Sequence, residues 1–61
     1  SMWRFVKKHR ETGIEVTLGT WNLLADAEAA ASRFGLDCKR YSYRLTDGWS
    51  SLPYPRSLWG G

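Results

Sequence analysis

Gly19-Thr20-Trp21-Asn22-Leu23-Leu24-Ala25-Asp26-Ala27-Glu28-Ala29-Ala30-Ala31-Ser32-Arg33-Phe34-Gly35-Leu36 carries the one long helical period in this 61-residue chain. Leu23, Leu24, Ala27, Ala30, Ala31 and Phe34 recur at the spacing that gathers side chains on a single helical face. Asn22 or Thr20 can cap the free N–H groups at the start, and Gly35 can close the end in a left-handed conformation. Asp26 and Glu28 come early and Arg33 late, the order that the helix dipole favours. A helix of about a dozen residues is marginal alone in water, so it needs a floor to lie on. A run of alanines permits close approach to a sheet.

The flanking segments supply that sheet. Trp3 to Arg10 reads as a strand with Trp3 and Phe5 on one face and Arg4, Val6 and Lys8 on the other. Glu11-Thr12-Gly13 is a turn, and Ile14, Val16 and Leu18 then alternate with Glu15 and Thr17. After the helix, Tyr41, Tyr43 and Leu45 alternate with Arg40, Ser42 and Arg44, and Thr46-Asp47-Gly48 closes that strand. Residues 49–61 show no period and contain two prolines, so they are expected to form an irregular aromatic tail on a domain spanning 1–48. The expectation is an α+β fold, ββαβ, with a three-stranded sheet in the order 2-1-3 and the helix packed on one face. Its core would join Trp3, Phe5, Ile14, Val16, Leu18, Tyr41, Tyr43 and Leu45 to Leu23, Leu24, Ala27, Ala31 and Phe34.

Composition narrows the function. The hydrophobic fraction of 43% with nine aromatic residues describes one globular domain with a small core. The apolar runs are too short for a membrane span, and no signal-peptide pattern opens the chain. A single cysteine cannot form an internal disulfide, which points to a reducing, cytoplasmic setting. His9 and Cys38 alone cannot supply the three or four ligands of a metal site, and the scattered carboxylates form no acid–base pair. The glycines suit turns and caps and form no phosphate-cradling loop. A non-enzymatic protein without metal or cofactor is expected.

Net charge is +3, and the excess belongs to the strands. Arg4 and Lys8 of the first strand would neighbour Arg40 and Arg44 of the third on the face away from the helix, with Glu15 alone to offset them. Like charges set across a strand pair are mildly destabilising, and nothing in the fold requires them. Arginine offers planar donors to phosphates and base edges, and a small sheet can enter a major groove. These four residues are the candidate DNA- or RNA-binding set. A second set, Trp49, Tyr54, Arg56 and Trp59, has the composition of a protein-interface anchor, or of a tail folded over the sheet to enlarge its core. The open edge of the second strand could also pair two copies of the chain.

Leu18-Gly19-Thr20-Trp21-Asn22 followed by Asp26-Ala27 resembles the strand-to-helix junction of AP2-type plant DNA-binding domains. It is similar, too, to the junction in the arm-binding domains of phage-type integrases. The resemblance covers residues 3–35, and it implies an exposed sheet face that meets the DNA major groove through arginines and aromatics. Those families place three strands before the helix, whereas here the third follows it. By size and element type the chain is also similar to small bacteriophage proteins that inhibit a host enzyme, which implies a host protein as the alternative partner.

Overall fold

A computed structural model describes residues 2–60. Strands β1 (Trp3–His9) and β2 (Glu15–Trp21) precede helix α1 (Leu24–Ala31), which is followed by β3 (Tyr41–Thr46) and β4 (Ser51–Tyr54). A short 3-10 turn, Arg56–Leu58, comes last. All pairings are antiparallel, in the order β2-β1-β3-β4. The fold is therefore α+β with the expected central order 2-1-3, but the sheet has four strands rather than three. The segment expected as an irregular tail folds back across a turn at Asp47–Ser50 and pairs with β3. Pro53 is tolerated because β4 is an edge strand, where a missing N–H can face outward.

The register sorts side chains onto two faces. Gly19, Phe5, Leu45 and Leu52 form one row across the four strands, and Val16, Lys7, Tyr43 and Tyr54 form the next. This is the helix side. Phe5 is the hub of the core: its ring lies 5.4 Å from Phe34, 5.7 Å from Tyr43 and 5.3 Å from Tyr54. Ala27 and Ala31 are buried against it, since a methyl group lets the helix approach the sheet closely. Between Phe5 and Val6 the register with β2 slips at a bulge, which leaves Leu18 unpaired and packed against the core. Gly19 beside it leaves room for the Trp21 indole. A Cβ there would overlap the tip of the Trp21 indole and stand 2.9 Å from its Cζ2.

Several expected details change. The helix has eight residues rather than a dozen. Leu23 stands at its N-cap in extended backbone without a side-chain cap, so neither Asn22 nor Thr20 fills that role. The chain leaves the helix at Ser32, whose hydroxyl donates to the Ala29 carbonyl at 2.6 Å. Gly35 does not adopt positive φ; Gly13 and Gly48, in the two hairpin turns, do. An eight-residue helix spans only about 12 Å. It therefore covers the Phe5 end of the sheet and leaves Ile14 and Val16, expected in the core, 65% and 48% exposed.

Candidate nucleic-acid interface

On the face away from α1 the register sets three rows. Thr20, Arg4, Thr46 and Ser51 form one; Thr17, Val6, Arg44 and Pro53 form the middle one; Glu15, Lys8 and Ser42 form the third. Arg4, Lys8, Thr17 and Thr20 are exposed, and no described element packs across them. Parity along β1 and β3 explains the arrangement, because alternate residues of a strand point to opposite faces.

Arg44 does not project freely. Its Nη1 donates to Glu15 Oε2 at 2.6 Å and its Nη2 to Glu15 Oε1 at 3.2 Å, a bidentate pair. The pair starts on β3 and ends on β2, so it crosses over β1 and covers Val6. That accounts for a buried valine on the face that has no helix. Hydrogen bonding from Arg44 holds the Glu15 carboxyl below the usual carboxylate range, and the charges of Arg44, Lys8 and Arg4 act in the same direction. Three cations and one carboxylate leave the face with two net positive charges.

Arg40 lies outside β3, in the turn that leads into it, where its guanidinium is 3.7 Å from Asp37. Its carbonyl accepts the Arg10 N–H at 2.9 Å, which extends the β1–β3 ladder by one pair. Arg4, Lys8 and Arg44 thus share the face, and Arg40 stands at its end opposite Arg10. Sequence reasoning passed over Arg10, which follows β1 at the even position that aligns with Arg4 and Lys8 and whose Nε donates to the Cys38 carbonyl at 3.0 Å.

The aromatic set divides. Tyr54 belongs to the core through its edge-on contact with Phe5. Arg56 reaches the helix, where its Nε donates to Glu28 Oε2 at 2.8 Å, and its guanidinium stands 4.3 Å from the Trp59 ring centroid. The Trp59 indole N–H donates to the Pro53 carbonyl. These contacts pin the C-terminal segment to the body. Trp49 alone of the three aromatics is turned outward, 94% exposed at the tip of the β3–β4 hairpin. Its turn is held by Asp47, whose Oδ1 accepts the N–H groups of Trp49 at 2.9 Å and Ser50 at 2.7 Å.

Among the described residues no cluster of three or more His, Cys, Asp or Glu side chains could hold a metal ion. No helix among the described residues is long and apolar enough to cross a membrane. Comparison with protein-family models, with curated proteins and with solved structures returns no match.

Proposed function

We propose that the chain is a non-enzymatic nucleic-acid-binding module that applies its open sheet face to the major groove of a duplex. The observation that carries this reading is the bare face itself. It holds Arg4, Lys8 and Arg44 interleaved with short hydrogen-bonding side chains, Thr17, Thr20 and Ser42. Arg4 and Lys8 are four residues apart on β1, about 13 Å at the rise of a strand. A major groove is about 12 Å wide, so the two cations can meet phosphates on its opposite rims while the residues between them face base edges. The resemblance of residues 3–35 to sheet-plus-helix DNA-binding domains supports the same use of the face. The unpaired Cys38 fits a reducing, cytoplasmic setting.

The test is fluorescence anisotropy of labelled duplex DNA, single-stranded DNA and RNA over a range of salt. Binding at micromolar concentration or tighter, falling along a log–log salt line and lost in the Arg4→Glu/Lys8→Glu double variant, is the expected result. Equal binding by that variant, or no binding at low salt, overturns it.

A second reading rests on Trp49. An indole held outward on a fixed turn suits the anchor of a protein interface, such as that of an inhibitor directed at a host enzyme. Retention of nucleic-acid binding by Trp49→Ala together with loss of a protein partner would favour it.

A further inference from the structure

The helix side of the sheet holds a second feature, at the end that α1 leaves bare. Here lies a hollow of about 300 Å³ lined by Lys7, His9, Thr12, Ile14, Val16 and Tyr41. Its outer part is apolar, formed by the exposed Ile14 and Val16. Lys7 is the one cation among its lining residues. Lys7 Nζ stands 4.5 Å from the Tyr41 ring centroid, and the His9 ring meets Tyr41 edge-on at 5.1 Å. His9 Nδ1 accepts the N–H groups of Glu11 at 3.2 Å and Thr12 at 3.3 Å, which leaves Nε2 as the donor of the ring. No carboxylate lines the hollow.

The hollow opens toward β2, an outer strand of the sheet. Natural edge strands are blunted with lysine, proline or cover. The seven residues of β2 include neither lysine nor proline, and its bulge at Leu18 lies beyond the stretch from Ile14 to Thr17 that borders the hollow. An extended chain laid along this edge would bond to the outward backbone groups of β2. Every second side chain of that added chain would lie beside Ile14 and Val16, over the hollow.

We propose that the β2 edge and this hollow form a docking site for an extended segment of a partner protein, in which apolar side chains flank a carboxylate directed at Lys7 and His9. Charge complementarity selects this occupant over a second copy of the chain. A second copy would bring its own Ile14 and Val16 to the hollow, while its Glu15 lies on the opposite sheet face, so Lys7 would gain no counter-charge and the His9 Nε2–H no acceptor. The site stands apart from the basic face and does not depend on the nucleic-acid reading.

The experiment is selection from a displayed library of segments of the form Thr-Val-Thr-Xaa-Thr-Val-Thr, with Xaa fully varied, against the whole chain. Asp and Glu are expected at Xaa at least about tenfold over Lys and Arg, the size of one net charge-assisted contact. The enriched peptide should perturb and protect amides of β2 in NMR spectra and leave those of β4 unchanged. Lys7→Gln should remove the acidic preference, and Val16→Lys, at an exposed position that leaves the core intact, should abolish binding. Enrichment of basic or purely apolar residues at Xaa, perturbation at β4, or no enrichment would overturn the proposal. So would a dimer in sedimentation that Val16→Lys dissociates.

Discussion

Glu15→Gln tests whether the open face works as a cation surface. In the wild-type chain the Glu15 carboxylate holds both terminal nitrogens of Arg44, so a phosphate would have to displace it. With Arg4 and Lys8 alone meeting phosphates, the slope of log K against log salt on duplex DNA would be about −1.8, at roughly 0.9 per phosphate. Glu15→Gln removes the competing charge and releases Arg44 as a third contact. The slope should then steepen to about −2.7, and between 50 and 200 mM salt the variant should lose about 3.5-fold more affinity than the wild type. Glu28→Gln is the matched control. It adds the same net charge and frees Arg56 from a pair that is likewise bidentate, at 2.8 and 3.3 Å, but on the helix side of the molecule. Anisotropy titrations of the three proteins at several salt concentrations make the comparison. Equal slopes for wild type and Glu15→Gln would show that Arg44 does not face the ligand. Equal steepening by Glu28→Gln would show that overall charge, and no particular face, governs binding.

Leu45→Ala should lower stability by about 3 kcal/mol in urea denaturation, because the side chain is fully buried between Phe5 and Leu52; a loss under about 1 kcal/mol would mean that the site collapses on the deletion. Trp49→Ala should leave the melting temperature unchanged while removing the most solvent-quenchable indole emission, since that ring touches little of the body; loss of folding would show that the hairpin tip packs inward. Acid should destabilise the chain. Arg44 hydrogen-bonds Glu15, Arg56 hydrogen-bonds Glu28, and the N–H groups of Ser50 and Trp49 bond Asp47, which holds all three carboxyls below their ordinary values. Their contribution is present above the unfolded carboxylate range and is lost as pH falls through the folded values. Melting temperatures followed from neutral pH down to about pH 3 should therefore fall, and less steeply in Glu15→Gln/Glu28→Gln/Asp47→Asn.

The parts of the fold that were legible in the sequence are those where one local rule acts alone. Alternation in Trp3–His9 and Tyr41–Thr46, together with Gly13 in the turn, placed three strands and their order correctly. β4 was hidden because Pro53 sits inside a four-residue strand, although Leu52 and Tyr54 alternate after an Asp-Gly turn. The ends of the helix were misjudged because tertiary packing on the sheet, and no capping side chain, sets where it starts and stops. For the candidate site, parity alone brought Arg4, Lys8 and Arg44 to one face. The bidentate pairing of Arg44 with Glu15 depends on how two outer strands register across a third, which local pattern does not encode. The hollow beside β2 exists because the helix is shorter than its apolar period, so no sequence period announces it.

β1 lies between β2 and β3, which gives it one local pairing and one distant pairing. The β1–β2 hairpin closes across residues 10–14, a local event on the microsecond scale. Phe5 meets Leu45 only when the chain returns from forty positions away, so the central strand waits half-paired with one row of backbone groups open. Forming α1 in the interval shortens that return, since a helical residue advances about 1.5 Å where an extended one advances about 3.3 Å. β4 closes on β3 across residues 47–50, an equally local event, so the distant step is the meeting of two hairpins along β1 and β3. The helix that shelters the core in the finished molecule is, during folding, the tether that brings its far wall home.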